Sequence, residues 1–357
     1  MNTILVINPG STSTKLAVYD GEILRFKEAI DHTNDSDLMS SSFAEQVPLR
    51  LKLVRDVLAC HGVDLSSLAA AVGRGGVLKP LPGGVYRISK QMRQDLLETR
   101  YGDHASGIGS ILAYDIAVPL GIPAMTVDPV VVSELDWPAQ YSGHPDIPRI
   151  SIFHALNQKA VARRYAAEAN RTYGDLNLIV AHLGGGVSIG AHRQGKVIDV
   201  ANAFDGEGPF SAERTGSLPI GGLIRLCYSG RFKTEREMRS HLIGRGGLFA
   251  YLGTKDAREV DRRIESGDEE AKRVLYAMCY QIKKEIGALY VVLEGKVDAI
   301  LLTGGMAHDP YIVDWIRDGV SFLAPVKVYP GENELEALRD GALAVLNGRE
   351  TLKEYDA

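Results

Sequence analysis

The sequence predicts an α/β protein built from two halves that repeat one order of strands and helices. Short apolar runs typical of strands alternate with longer helical patterns, and glycine-rich turns separate them. A succession of strand, polar or glycine turn, strand, turn and strand opens the chain and occurs again after residue 177. We interpret this recurrence as a weak internal duplication of a βββαβα unit, and the length of 357 residues is consistent with two domains.

The first half opens with the apolar run TILVI at residues 3–7, which is short and rich in β-branched side chains, as buried strands are. A polar turn and a returning strand at 16–19 follow, and a third strand is predicted at 22–27. The other elements predicted here are strands at 69–73 and 123–127 and helices at 43–60, 89–98 and 106–118, the last ending near Pro119.

The second half follows a long helical pattern at residues 150–169. Its predicted elements are strands at 178–182, 187–192, 196–200 and 298–302 and helices at 268–294 and 334–346. No low-complexity linker separates the halves, so we place the boundary near Pro148. One predicted domain comprises residues 1–148 with a C-terminal helix at about 338–357, and the other comprises residues 149–337. A crevice between two such halves is the usual place for a ligand.

Composition excludes several classes of function. A net charge of −5 against 40 basic residues gives no basic excess, so we expect no nucleic-acid and no membrane partner. No run reaches the roughly 18 apolar residues of a membrane span, and the first residues lack the basic region of a signal peptide. The three cysteines are far apart and form no CxxC pair, so we expect a reducing, cytoplasmic compartment and buried thiols at Cys60, Cys227 and Cys279.

Three turns between predicted elements carry residues suited to phosphate binding. Residues 8–15, NPGSTSTK, offer backbone N–H groups, hydroxyls and a lysine to an anion. The glycines of residues 182–188, HLGGGVS, let the backbone approach a ligand closely, and residues 302–306, LTGGM, open from a strand into a helix. Taken alone, each of these turns is also common as an ordinary connection between two secondary-structure elements, without any ligand. Residues 190–196 have most of the P-loop spacing, but Val197 occupies the Ser/Thr position, so we reject that motif.

In this order, the three turns resemble the phosphate and adenosine segments of the actin-like ATPase superfamily. Asparagine at position 8, where aspartate is usual, is similar to the acetokinase family. The segments that resemble the butyrate kinase branch of that family are VGRGGVLKPLPGGVY (72–86), YGDHASGIG (101–109), DGEGPFSAERTGSLP (205–219) and GRGGLFAYLGT (244–254). The likeness implies two ribonuclease H-like domains of βββαβα type, a central active-site cleft, and nucleotide binding in the C-terminal domain.

The resemblance assigns the chemistry to two arginines and two carboxylates. Arg74 matches the family arginine that contacts the carboxylate and the transferring phosphoryl group, and Arg214 matches a second arginine. Guanidinium groups suit this work, because a phosphoryl transition state spreads charge over oxygens that bidentate donors fit. Asp128 matches an aspartate expected to orient groups or to support Mg²⁺, and Glu334 matches the glutamate that holds Mg²⁺.

Further contacts follow from the same resemblance. Asn8 and His154 join the catalytic group, and the substrate is expected to contact Arg74, Gly76, His104 and Phe153. Glycines follow Arg74 where acetate kinases have bulky valines, which predicts room for a longer acyl tail. The residues expected to bind the nucleotide are Ser11, Ser13, Lys15, His182, Gly184, Gly185, Gly186, Gly304 and Gly305. Two departures from acetate kinases, Gly185 and Gln158, agree with butyrate kinases.

The implied reaction is reversible transfer of the γ-phosphoryl group of ATP to butyrate, with Mg²⁺ as cofactor and a homodimer or higher homo-oligomer as the assembly. A carboxylic acid with a pKa of about 4 is already ionised at pH 7, so the reaction needs no catalytic base. The alternatives are a kinase for acetate, propionate or a branched-chain acid, an actin-fold sugar kinase or sugar-responsive regulator, and a nucleotide-dependent interaction protein of the chaperone branch.

Overall fold

The computed structural model of the protein describes residues 2–355, which form two compact units. The first unit comprises the described residues up to Val132 and those from Asn333 onward, and the second is the continuous segment Ser133–Glu332. The sequence-based boundaries were at residue 148 and at about residue 338. Each unit has its own sheet and its own apolar core.

The first unit is organised around a six-stranded mixed sheet. In chain order its strands are β1 (Thr3–Pro9), β2 (Ser13–Asp20), β3 (Ile23–Asp31), β4 (Leu68–Gly73), β5 (Val85–Arg87) and β6 (Ala124–Val127). The spatial order is β3-β2-β1-β4-β6-β5. Strands β1, β4 and β6 are parallel neighbours, whereas β2, β3 and β5 pair antiparallel. The helices of this part are α1 (Ser36–Ser40), α2 (Phe43–Cys60), α3 (Lys90–Leu97) and α4 (Gly107–Ala117).

The second unit is built on a five-stranded sheet. Its elements in chain order are α5 (Ala155–Glu168), β7 (Asn177–Leu183), β8 (Val187–Arg193), β9 (Lys196–Val200), α6 (Ile220–Cys227), α7 (Glu235–Gly244), α8 (Gly247–Leu252), α9 (Ala257–Glu265), α10 (Glu269–Val292), β10 (Ala299–Gly304), α11 (Pro310–Val320) and β11 (Val326–Pro330). The spatial order is β11-β10-β7-β8-β9, with β7, β10 and β11 parallel. The chain then returns to the first unit as α12 (Glu334–Leu346).

The two sheets have the same topology, which confirms the predicted duplication. The order β3-β2-β1-β4-β6 corresponds strand for strand to β9-β8-β7-β10-β11. In each sheet an antiparallel three-strand meander is followed by two further strands that run parallel to its first strand. Strand β5, at the edge of the first sheet, is the one addition to this shared pattern.

Two sequence-based expectations are wrong. The helix predicted from residue 150 begins at Ala155, because residues 151–154 are held in irregular backbone and His154 caps the helix. Of the three cysteines expected to be buried, only Cys279 is; Cys60 and Cys227 are exposed. Both exposed cysteines are the last residues of their helices, and the helix that ends at Cys227 has no buried residue. Among residues 2–355, no helix combines the length and the apolar content that crossing a bilayer requires.

Candidate active site

Three predicted residues of the first unit lie at the carboxyl ends of three parallel strands. Asn8 is near the end of β1, Arg74 directly follows β4, and Asp128 directly follows β6. Because these strands are neighbours and parallel, their carboxyl ends form one edge of the sheet. Ligands of open α/β sheets bind at that edge.

Arg74, Glu334 and Asn8 form a buried hydrogen-bonded cluster. Both terminal nitrogens of Arg74 donate to the carboxylate of Glu334, at 2.9 Å and 2.8 Å. Asn8 Nδ2 donates to the same carboxylate at 2.8 Å, and Arg74 Nη1 lies 3.4 Å from Asn8 Oδ1. Glu334 is the first residue of α12, and Asn333 before it has a positive φ of 46°. The side chains of Arg74 and Glu334 are 19% and 6% exposed, so the pair is shielded from water on most sides.

Asp128 is fully buried and hydrogen-bonded to the backbone. Its Oδ1 accepts from the N–H of Gly84 at 2.7 Å, and its own N–H donates to the carbonyl of Gly84 at 3.0 Å. The residue has a positive φ of 38°, which is uncommon for residues other than glycine, although aspartate adopts it more often than most. These bonds hold the turn after β6 in place, so Asp128 orients the backbone of that turn.

The carboxylates of this unit fit a magnesium ion that also binds substrate oxygens. Kinases bind Mg²⁺ through one or two carboxylates, several waters and the phosphates of the substrate, not through a closed protein cage. Within residues 2–355 no group of three or more His, Cys, Asp or Glu side chains forms such a cage. Glu334 offers a carboxylate beside Arg74. Its Oε2 accepts from both Arg74 Nη1 and Asn8 Nδ2, whereas its Oε1 accepts from Arg74 Nη2 and keeps a second lone pair.

The turn between β1 and β2 is braced by a buried arginine that the sequence analysis did not single out. Arg50, on α2, is 0% exposed. Its guanidinium donates to the carbonyl oxygens of Gly10 at 2.9 Å, Ser11 at 3.1 Å and Ser13 at 3.3 Å. It also donates to Thr14 Oγ1 at 3.1 Å. Burial lowers the pKa of Arg50 from its usual value, yet arginine keeps its charge in proteins.

These bonds turn four acceptors of the turn between β1 and β2 inward, towards a positive charge. Ser11 is exposed and Ser13 half-buried, while Lys15 is exposed on β2 opposite Asn8. Gly10 has an ordinary φ, and a Cβ there would meet nothing closer than the Ser13 carbonyl at 3.8 Å, so the turn does not itself require glycine.

Gly75 and Gly76 serve close packing. A Cβ on Gly75 would lie 2.6 Å from the Pro129 Cβ, and one on Gly76 would lie 2.5 Å from the Gly107 Cα. The expectation that these glycines leave open space for an acyl tail is therefore wrong, because neighbouring chain fills that space. His104 Nδ1 lies 2.7 Å from Ser106 Oγ, which donates to the Gly75 carbonyl at 2.8 Å. His104 is thus tied to the segment that carries Arg74.

In the second unit, His182 and His154 stack on each other. His182 lies near the end of β7, and His154 caps α5. Their ring centroids are 3.7 Å apart with 9° between the planes. His182 Nδ1 is 2.7 Å from Asn157 Oδ1, and His154 Nδ1 is 2.8 Å from Ser188 Oγ. The structure therefore brings two of the predicted histidines together.

Arg214 lies against the glycine turn of the second unit. A Cβ on Gly186 would be 2.5 Å from Arg214 Nη1, so the absence of a side chain lets the guanidinium reach the turn. Arg214 Nη1 donates to the Ala203 carbonyl at 2.8 Å, and the guanidinium lies over the ring of Phe204. Burial lowers the pKa of Arg214. Within residues 2–355 its Nε has no hydrogen-bond partner and its guanidinium forms no ion pair, which suits an incoming anion.

The glycines after β7 and β10 line one cavity of about 820 Å³. Gly304 has a positive φ of 91°, and a Cβ there would lie 2.3 Å from the Leu183 carbonyl oxygen, so only glycine fits. Gly305 has nothing within 4 Å of its Cβ position. The cavity is also lined by Gly184, Gly185, Lys255, Asp261, Asp309 and Glu332. Its volume is that of a small-molecule site.

Two carboxyl groups that line this cavity, Asp261 and Asp309, have raised pKa values. Burial and the neighbouring Asp309 carboxylate raise the pKa of Asp261 to about 7. Burial also raises the pKa of Asp309, whose other oxygen accepts from the N–H of Ile312 at the start of α11 at 3.1 Å. No motif in the sequence predicts this pair, because the two residues are far apart in the chain. Phe153, expected as a wall of the substrate site, is buried at 3% exposure beside His154.

Comparison with known proteins agrees with this geometry. The sequence model described as the acetokinase family matches residues 138–338. The chain is 49% identical over 352 residues to butyrate kinase 2 of Clostridium acetobutylicum, covering 99% of each chain. An acetate kinase from Porphyromonas gingivalis superposes with a TM-score of 0.77 at 20% identity, covering 96% of this chain and 99% of that one. A propionate kinase from Francisella tularensis superposes with a TM-score of 0.74 at 19% identity, covering 95% and 99%.

The solved structures establish the fold: this is an α/β protein of two units with the fold of these acetate and propionate kinases. The relative at 49% identity and the family match go further. The chain belongs to the acetokinase family, which confirms the resemblance predicted from its turns.

Proposed function

We propose that this protein is a butyrate kinase, which transfers the γ-phosphoryl group of ATP to butyrate and gives butyryl phosphate and ADP reversibly. The observation that carries the proposal is 49% identity to a butyrate kinase over 99% of both chains. The buried cluster of Arg74, Glu334 and Asn8 supports it, and so does Arg214, whose buried Nε has no hydrogen-bond partner among residues 2–355. Phosphoryl transfer depends on positioning and on neutralising charge.

In the proposed roles, Arg74 and Arg214 bind the phosphoryl oxygens and the carboxylate, and Asn8 holds the Glu334 carboxylate in place. His104 and Phe153 belong to the substrate site, with Gly76 allowing the chain beside Arg74 to pack closely. Because a carboxylate is already ionised at neutral pH, no residue has to remove a proton from the acceptor. Asp128 orients the turn after β6.

The nucleotide is proposed to bind through its adenosine in the cavity beside Gly305 and Gly184, with its phosphates near the glycine turn. On the first unit, Ser11, Ser13 and Lys15 are proposed to contact phosphate oxygens. Magnesium would be held by the Glu334 carboxylate. Asp128 is fully buried, so it would support the ion without binding it directly. When bound, the ion would neutralise phosphate charge. A cytoplasmic homodimer or higher homo-oligomer completes the proposal.

A hydroxamate assay with acids of two to six carbons tests the reaction and its substrate together. We expect Mg²⁺- and ATP-dependent acyl phosphate with butyrate as the preferred or nearly preferred acid. A preference for acetate of more than tenfold would replace butyrate kinase with another carboxylate kinase of the family. Acid-independent release of ADP, or phosphorylation of sugars alone, would remove the proposed function altogether.

A further inference from the structure

A continuous chain of buried polar side chains runs through the second unit and ends on His154. Tyr173 OH lies 2.6 Å from His192 Nδ1, and His192 Nε2 lies 3.0 Å from Gln158 Oε1. Gln158 Nε2 reaches both the carbonyl and the hydroxyl of Ser188, at 3.1 Å and 2.8 Å. Gln158, Ser188 and His192 are each 0% exposed. Buried networks of this kind have few ways to place their hydrogens.

The orientation of Gln158 follows from one group that can only accept. The Ser188 carbonyl has no hydrogen to give, so the NH₂ of Gln158 must face it. The amide oxygen then faces His192, which must carry its proton on Nε2. Burial lowers the pKa of His192 well below its usual value, so the ring is neutral and its Nδ1 accepts from the hydroxyl of Tyr173.

The contacts of the Ser188 hydroxyl determine which neighbour accepts its proton. Its oxygen accepts from Gln158 Nε2 at 2.8 Å and from the backbone N–H of His154 at 3.4 Å. Those two donors use both lone pairs of the hydroxyl. The remaining neighbour is His154 Nδ1 at 2.8 Å, which therefore receives the hydroxyl proton.

We propose that Ser188 and Gln158 are positioning residues that hold His154 as a neutral imidazole with its proton on Nε2. The inference rests on the proposed phosphoryl transfer, in which His154 Nε2–H then acts as a fixed hydrogen-bond donor to a phosphoryl or carboxylate oxygen. A fixed donor needs no reorganisation as charge develops on that oxygen.

The stacked neighbour has the opposite arrangement. Asn157 Nδ2 donates to the Glu332 carbonyl at 2.8 Å, so its Oδ1 faces His182 and receives the proton of His182 Nδ1. His182 Nε2 lies 3.8 Å from a Glu332 carboxylate oxygen. With ring centroids 3.7 Å apart, two cationic rings would repel each other. A neutral His154 beside His182 avoids that repulsion, and the two rings carry their protons on different nitrogens.

Long-range ¹⁵N–¹H NMR of the histidine side chains in the full-length protein tests the tautomer directly, without reference to activity. His154→Gln assigns the signals. We expect unprotonated Nδ1 and protonated Nε2 for His154, unchanged between pH 6 and pH 8. Protonated Nδ1, or titration of His154 near its usual pKa of about 6.5, would overturn the proposal.

Two variants separate positioning from simple structural support. Ser188→Ala removes the donor to Nδ1, so we expect His154 to titrate and kcat/KM for butyrate to fall about tenfold with a new dependence on pH near 6.5. Tyr173→Phe, at the far end of the chain of hydrogen bonds, leaves the Ser188 carbonyl in place and should leave the tautomer of His154 unchanged. If Ser188→Ala changed the tautomer of His154 but not kcat/KM, the proposed donation by His154 in the reaction would be refuted, and its positioning by Ser188 would stand. An inactive wild-type enzyme with the expected NMR spectrum would refute only the proposed function.

Discussion

The two units place their site residues at corresponding strand ends but use different chemistry there. In the first unit, Arg74 follows β4 and is neutralised by Glu334. In the second unit, Gly304 ends β10, the strand that corresponds to β4, and the nearby guanidinium of Arg214 has no carboxylate partner among residues 2–355. Duplication has therefore kept the topology of the sheet, whereas the charges on its edge have diverged.

The turns after the first strand of each sheet show the same contrast. The turn after β1 is polar and is supported by the buried charge of Arg50. The turn after β7 consists of glycines and is flanked by the His154–His182 pair. The first turn has a buried cation beneath it, and the glycines of the second let the Arg214 guanidinium lie against the backbone. The following substitutions test whether these differences matter.

Removing either arginine of the proposed reaction is expected to have the largest effect. Arg74→Ala and Arg214→Ala should each lower kcat by about 10³-fold or more, since guanidinium groups that stabilise phosphoryl transition states contribute that much. Arg225→Ala, on an exposed part of α6, is the control and should keep full activity. Steady-state kinetics with butyrate and ATP give the answer, and losses below tenfold for both variants would defeat the mechanism.

The same two variants should differ in stability. Arg74→Ala leaves the buried Glu334 carboxylate without its partner and should lower the free energy of unfolding by about 3 kcal/mol. Arg214→Ala removes a buried charge whose hydrogen bond goes to the Ala203 carbonyl and not to a carboxylate, so we expect a change within about 1 kcal/mol. Urea unfolding of the free proteins measures both. Equal losses of unfolding free energy would show that the pairing of Arg74 with Glu334 does not make Arg74 more important for stability than Arg214.

Arg50→Met tests the charge beneath the first turn. The substitution keeps an apolar chain of similar length but leaves the carbonyls of Gly10 and Ser11 without their donor. We expect KM for ATP to rise about tenfold and unfolding free energy to fall by about 3 kcal/mol, because several buried acceptors lose their partners. Arg55→Met, on the exposed face of the same helix, is the matched control. A normal KM in a stable Arg50→Met protein would show that the buried charge serves the fold only.

Neighbouring glycines in the second unit should respond in opposite ways. Gly304→Ala forces a side chain onto a positive φ and against the Leu183 carbonyl, and should destabilise the protein by about 3 kcal/mol. Gly305→Ala meets nothing within 4 Å and should leave thermal stability unchanged. If the nucleotide approaches this backbone, KM for ATP in Gly305→Ala should rise severalfold at constant kcat. An unchanged KM would move the nucleotide away from Gly305.

The smallest effect is expected from the raised pKa of Asp261 beside Asp309. Because the pKa of Asp261 in the folded protein is raised to about 7, the folded state keeps a proton that the unfolded state releases. Stability should therefore fall as pH rises from the usual carboxyl range to about 7, and extra negative charge above that pH should weaken nucleotide binding. Asp261→Asn should flatten both trends, measured by thermal melts and ADP titrations, whereas Glu269→Gln should not. Parallel pH curves for wild type and Asp261→Asn would contradict the assignment.

Much of the fold was readable from the sequence, because its central strands are apolar, β-branched runs bounded by glycine turns. Strands β1, β7 and β10 and helices α2, α10 and α12 are predicted within a few residues. Strand β11 was not predicted, since VKVYP is short and alternates only weakly. Helices α6–α9 were missed because the segment between residues 205 and 265 is rich in glycine and charge, which hides any apolar period.

The site was only partly readable, for a different physical reason. The turns and the positions of Arg74, Arg214 and Glu334 came from motifs that are local in sequence. Arg50 gave no signal, because an arginine in an amphipathic helix normally faces water, and only the folded turn supplies the carbonyls that bind it. The hydrogen bonds from Gln158 to Ser188 likewise depend on the packing of a helix on a strand, which spacing along the chain does not reveal.

The pairing of Arg74 with Glu334 has a consequence for how the protein is made. The two residues are separated by 260 positions, and α12 joins the unit that begins the chain. During synthesis on a ribosome, the continuous segment Ser133–Glu332 is complete before the first unit receives its last helix. Until that helix emerges, Arg74 has no counter-charge, so a nascent or prematurely ended chain lacks the cluster that the proposed reaction requires.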